Sequence, residues 1–229
     1  MVYVLHGWST QTTKWAPLLK QLKSQGIKTK LLRIPGLTSP IDSPWDLNRY
    51  VDWFASQTKT HPHFSVIAHS FGGRIAIKFD IAHPNRIKKL VLIDSAGIRP
   101  ASITAKVKRA SFKAVAKIGK KITTKKSVRK FLYRLAGEQD YYKAHPHLAQ
   151  TMTNVIEEDL RLSLRFVKAH TLIIWGSQDT TTPLSDGRLM HKTITGSSLK
   201  IIDNARHSPH FTHPDIVAAH IDQFLNSSK

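Results

Sequence analysis

Val66-Ile67-Ala68-His69-Ser70-Phe71-Gly72-Gly73-Arg74-Ile75-Ala76 reads as an apolar strand, a serine between small residues, and a helix that starts at once. So sharp a strand–serine–helix turn strains the serine backbone and lifts its hydroxyl clear of the sheet. Small residues two before and two after the serine let neighbouring backbone pass close by. Ala68 holds the first of these places, where glycine is usual, which makes this a variant nucleophile elbow. A serine here also suits a helix N-cap. Its setting between a buried strand and a helix favours the exposed nucleophile.

A hydroxyl is a weak nucleophile near neutral pH; it needs a base, and the base needs an orienting carboxylate. With an elbow serine, the acid and then the histidine follow along the chain, each on a loop after a strand. The run Leu172-Ile173-Ile174-Trp175 is followed by Gly176-Ser177-Gln178-Asp179, which makes Asp179 the candidate acid. Asp94 also ends an apolar run, but Asp179 fits the loop order better, and Asp94 and Ser95 are read as pocket residues. After Leu199-Lys200-Ile201-Ile202 comes His207, the candidate base; His210 and His213 are rivals, and His207 lies nearest the strand end. Near the start, Val2-Tyr3-Val4-Leu5 runs into His6-Gly7-Trp8. The backbone N–H groups of Trp8 and Phe71 would then face a developing oxyanion, with His6 and His69 as further pocket candidates.

His6-Gly7-Trp8, Ala68 to Arg74, Leu90 to Gly97 and Trp175 to Asp179 together resemble the α/β-hydrolase-fold serine hydrolases over nearly the whole chain. Arg206 departs from the pattern, since a small residue usually precedes the histidine. The resemblance implies a carboxylic ester hydrolase of broad specificity for short or medium acyl chains, working through an acyl-enzyme. Lactonases, carbon–carbon bond hydrolases and carrier-protein ester hydrolases share the same machinery, so the substrate stays open. Dehalogenase or epoxide hydrolase chemistry in this fold needs an aspartate where Ser70 stands. No cofactor or metal is implied. The pairs His61-Pro62-His63 and His145-Pro146-His147 have no acid or third histidine at tight spacing and read as surface loops.

At 229 residues the chain is long enough for one substantial core. No apolar run approaches the ~20 residues of a membrane span, and the chain enters a strand at once, so no signal peptide is expected and a cytoplasmic location is the default reading. The absence of cysteine excludes disulfides, a thiol nucleophile and thiolate metal sites.

Strands are expected at 1–6, 28–34, 64–69, 89–94, 171–176 and 199–203, alternating with helices near 13–24, 43–58 and 72–82. The pattern predicts a doubly wound, mainly parallel α/β sheet of about six strands, the α/β-hydrolase fold without its first two. The strand around 28–34, with Lys28, Lys30 and Arg33, would be a charged edge. Ser43-Pro44-Trp45-Asp46 offers an N-cap, a first-turn proline and an early acid.

The core is expected over 1–98 and 166–229, with 99–165 inserted as a helical cap. Between Ser95 and Gly137 there are 13 Lys or Arg and no acid, with apolar residues at helical spacing, for example Ile103, Val107, Phe112, Val115, Ile118, Phe131 and Leu135. The plain reading is a solvated basic face. With a net charge of +20, the cap would also attract anionic substrates, an acidic carrier protein or an anionic membrane surface. A protein that binds such surfaces on a hydrolase fold is the non-enzyme alternative. No specific nucleic-acid motif accompanies the charge, and the oligomeric state stays open.

Overall fold

The computed structural model describes residues 1–9, 11–99 and 146–227. Six parallel strands form one sheet: β1 (Val2–Leu5), β2 (Thr29–Leu31), β3 (Phe64–His69), β4 (Ile87–Ile93), β5 (His170–Gly176) and β6 (Ser198–Ile202), in the order β2-β1-β3-β4-β5-β6. Their near-continuous apolar runs follow from burial on both faces. Along each central strand the side chains alternate between two cores. Tyr3, Leu5, Val66, Ala68, Leu90, Leu92, Ile173 and Trp175 face one core. Val2, Val4, Ile67, Val91, Ile93, Leu172 and Ile174 face the other.

Helices cover both faces. Helices α1 (Ala16–Ser24) and α7 (Pro214–Asn226) close the second core with Leu18, Leu22, Val217, Ala218 and Ile221. On the opposite face lie α2 (Leu47–Gln57), α3 (Phe71–Ala82) and α5 (Leu184–Thr193), with Tyr50, Phe54, Ile75, Phe79 and Met190. Helix α4 (Pro146–Glu157) and the short α6 (Pro209–Thr212) complete the described helices.

Two boundaries differ from expectation. Residues 12–15 form a 3-10 turn before α1, which carries Pro17 in its first turn. Helix α2 starts after Asp46 rather than Ser43. The Asp46 carboxylate accepts the Arg49 N–H at 2.8 Å, while the Trp45 N–H is held by Thr151 Oγ1 at 2.8 Å. At the end of α1, Gly26 (φ +80°) sits where the Ile27 N–H turns back to the Leu22 carbonyl, 2.9 Å away, a left-handed stop that suits glycine.

Strand β2 lies at an edge and is shorter than the expected 28–34. Beyond β4 the basic amphipathic stretch, including Ile103 to Leu135, lies outside the described residues, as does most of the expected 99–165 insertion. The returning chain is tied to α3: the buried Asp80 carboxylate accepts the backbone N–H groups of Lys168 and Ala169 at 2.6 and 3.0 Å, just before β5. No helix among the described residues is long and apolar enough to cross a membrane.

Candidate active site

Strand β1 pairs with β2 on one side and β3 on the other, so the chain reverses its winding direction between β1 and β3. Crevices form at the carboxyl ends of strands at such a switch point. The Trp8 and Ser70 loops leave the sheet there, and the loops after β4, β5 and β6 open beside them.

Ser70 has φ +50° and ψ −113°, a conformation that costs about 1–3 kcal/mol outside glycine. Its hydroxyl makes no capping bond to α3, so it is free for other partners. The close turn depends on Gly72, where a Cβ would stand 2.4 Å from the Leu5 carbonyl oxygen. Ala68, paired between Leu5 and Leu92, fits without a gap in the sheet register.

The loops bring three distant residues into line. His207 Nε2 lies 3.0 Å from Ser70 Oγ, and His207 Nδ1 lies 2.8 Å from Asp179 Oδ2. An ionised carboxylate only accepts, so Nδ1 carries the ring proton and Nε2 offers its lone pair to the serine hydroxyl. Asp179 is itself saturated: Oδ1 accepts the N–H groups of Thr181 and Thr182 at 2.7 and 3.1 Å, and Oδ2 accepts the Thr182 hydroxyl at 2.7 Å. Burial works to raise its carboxyl, but hydrogen bonds and charge from His207, with the Thr182 and Thr181 donors, hold it below the usual carboxylate range.

Asp94 is placed differently. One oxygen accepts the Gly176 N–H at 2.8 Å, and the other is buried with no partner among the described residues. Burial, then the charge of Asp179, pushes its carboxyl up to about 9. A neutral carboxyl cannot stabilise an imidazolium, which separates it from Asp179 in kind.

The rival histidines are engaged elsewhere. His210 is fully buried against Trp15, ring centroids 4.3 Å apart. His213 precedes α7 and bonds Thr212. Arg206 is exposed, so a long side chain is accommodated before His207.

The backbone N–H groups of Trp8 and Phe71 meet no acceptor among the described residues. Their rings pack edge to face at 4.8 Å, which brings the two loops together. Beside Ser70 opens a small cavity walled by Trp8, Phe71, Ala96, Met152, Val155 and Ile156, with Arg74 and Thr182. None of the four expected pocket residues lines it. His6 donates Nδ1–H to the Gly7 carbonyl at 2.7 Å, and burial takes it down to about 4. His69, on the far side of the elbow, donates Nε2–H to the His207 carbonyl at 2.8 Å. Asp94 bonds Gly176, and Ser95 Oγ turns to the Ala96 carbonyl. At a strand end successive side chains alternate in direction, so neighbours of a site residue tend to face away from it.

Sequence reasoning missed Arg74, Thr182 and the α4 side chains. Arg74 stands four residues after Ser70, one helical turn on, and that spacing was the available signal. His69, Asp94 and His207 each bring one donor atom within 4.8 Å of the others. Both His207 nitrogens and His69 Nε2 are already committed, so a cation there would break the serine–histidine–aspartate chain.

The alpha/beta hydrolase family model matches residues 2–220. A pimeloyl-[acyl-carrier protein] methyl ester esterase of Neisseria meningitidis is 25% identical over 244 residues, covering 98% of this chain and 93% of its own. Among solved structures, a thermophilic esterase from Thermogutta terrifontis superposes with a TM-score of 0.72 at 20% identity, covering 98% of this chain and 88% of that one. The enol-lactonase from Burkholderia xenovorans LB400 gives 0.72 at 18%, covering 99% and 91%.

Proposed function

Because the chain belongs to the alpha/beta hydrolase family, we propose that it is a serine hydrolase that cleaves carboxylic esters of short or medium acyl chains. Ser70 is the nucleophile, His207 the base and Asp179 its orienting acid. The observation that carries this reading is the continuous chain from Ser70 Oγ to His207 to Asp179, at 3.0 and 2.8 Å.

Ser70 attacks the ester carbonyl as His207 Nε2 takes its proton, and Asp179 stabilises the resulting imidazolium. The Trp8 and Phe71 N–H groups bind the oxyanion; one such donor is typically worth about 3 kcal/mol. Collapse releases the alcohol, which leaves with the proton from His207. Water then attacks the acyl-enzyme with His207 again as base, and the acid product departs. Residues 99–165 act as a cap on a core of 1–98 and 166–229. The described part of that insertion supports this, since Met152, Val155 and Ile156 of α4 wall the cavity.

The test is initial-rate hydrolysis of p-nitrophenyl butyrate by the wild type and by folded Ser70→Ala. The variant should lose about 10³-fold or more in kcat. Equal rates in the two proteins would end the proposal.

A second reading, a carrier-linked ester as substrate, is favoured by the name of the Neisseria meningitidis relative and by the basic stretch from Ser95 to Gly137. Turnover of an acyl-carrier-protein-linked methyl ester should then fall steeply with salt, while turnover of p-nitrophenyl butyrate should not. Salt-insensitive turnover of the carrier-linked ester would remove the role of the basic cap.

A further inference from the structure

Arg74 is 3% exposed and forms part of the wall of the cavity beside Ser70, yet it makes no direct ion pair with a carboxylate among the described residues. Its Nη1 alone is committed, donating to the Val155 and Glu158 carbonyls at 3.2 and 2.6 Å. Nε and Nη2 have no acceptor among the described residues. Buried guanidinium groups are ordinarily paired with a carboxylate or phosphate through the N–H edges of the planar fork.

Three acids act on Arg74 through their charge, Asp159, Glu158 and Asp186, and none of them pairs with it directly. Glu158 pairs with Lys78 Nζ at 2.5 Å, and Asp159 accepts the N–H groups of Arg99 and Arg161. Burial takes the Arg74 guanidinium down to about 10, so it remains cationic at neutral pH. Trp8, on the same wall, carries a buried indole N–H that meets no acceptor among the described residues. The cavity thus combines apolar walls with donors that lack a partner. A plain alkyl chain would leave them unpaired, at a cost in binding.

We infer that this cavity takes an acyl chain ending in a carboxylate, so that the preferred substrates are half-esters of short dicarboxylic acids, with Arg74 as the group that recognises the free carboxylate. Ser70 immediately precedes α3 and Arg74 lies one turn on, about 6 Å along the helix axis, which places the second carboxylate a few carbons from the scissile ester. This inference rests on the ester hydrolase reading above.

The test compares two esters of equal chain length, monomethyl glutarate and methyl pentanoate, by methanol release. The wild type should favour the half-ester in kcat/KM, and Arg74→Met should lower that preference at least tenfold. Arg74→Lys, which keeps the charge, should retain part of it. The ratio of two substrates on one protein is independent of the folded fraction, so loss of the α4 contacts alone would leave it unchanged. An unchanged ratio in Arg74→Met, or no wild-type preference, overturns the inference. Where turnover is too slow, calorimetric binding of monomethyl glutarate to Ser70→Ala should be lost in Ser70→Ala/Arg74→Met; equal binding overturns the inference. Turnover of both esters that is indifferent to Ser70→Ala would instead overturn the hydrolase reading beneath it.

Discussion

His69 Nε2 donates to the backbone carbonyl of His207 at 2.8 Å, so the residue before Ser70 holds the loop that carries His207. A carbonyl only accepts, which fixes the proton of His69 on Nε2. Burial, then the proximity of His207, takes His69 down to about 3 and keeps it neutral. His69→Ala should lower kcat/KM for p-nitrophenyl butyrate by about tenfold, the scale of one lost buried hydrogen bond. His69→Gln, which can restore an N–H donor, should recover part of the loss. Wild-type activity in His69→Ala would show that the loop needs no such tether.

Thr182 ties Asp179 to the end of β4. Its hydroxyl donates to Asp179 Oδ2 at 2.7 Å and lies 3.2 Å from both the Asp94 carbonyl and His207 Nδ1. Thr182→Val keeps the shape and removes the donor. Activity should fall about tenfold, and loss of that stabilising bond should move the Asp179 titration upward. A pH–rate profile unaltered in both height and shape would rule this role out.

Asp94 should make the protein less stable as pH rises. Its folded pKa of about 9 lies above the ordinary 3.8, so the folded state holds a proton that the unfolded chain has released. Stability therefore declines from about pH 4 upward until pH passes 9. Asp94→Asn keeps an acceptor for the Gly176 N–H and removes the titration. Urea unfolding should find it more stable than the wild type at pH 8, on the order of a few kcal/mol, with the difference shrinking by pH 5. A constant difference across that range would refute the assignment.

His6, His69 and His210 act in the opposite sense. Burial lowers all three below 6.5, to about 4 and about 3 for the first two and well below for His210. The unfolded chain therefore takes up their protons first, and stability falls as pH drops below about 6.5. Each neutral buried histidine contributes up to about 1.4 kcal/mol per pH unit in that window. Neither ring nitrogen of His210 has a hydrogen-bond partner among the described residues. His210→Leu should raise the melting temperature at pH 7 and flatten its decline between pH 6.5 and 5. A destabilised variant with the wild-type slope would show that His210 is held by contacts that the ring alone provides.

The elbow turn, the six strands and the edge position of β2 were legible because each leaves a local mark. A buried parallel strand reads as an apolar run, and the loop that follows it carries the chemistry. Small residues after Ser70 mark a close approach of backbone, met here by Gly72 against Leu5. The Ser43 start for α2 failed because Asp46 competes as N-cap and Thr151, more than a hundred residues away, takes the Trp45 N–H.

What the sequence determined by itself was therefore the scaffold and the loops at its strand ends that carry Ser70, Asp179 and His207, since periodicity and turn chemistry are properties of neighbours along the chain. Which way the flanking side chains point was decided only in the folded molecule. His69 and Asp94 carry the same residue types that a pocket would use, yet the pleat turns them behind the site, and there burial leaves one neutral and the other protonated. Arg74 shows the converse. Its place one helical turn after Ser70 is its only local mark, and the packing of α4 over α3 is what encloses its charge beside Ser70. Burial and charge environment arise from contacts between distant segments, and those exist only once the chain has closed.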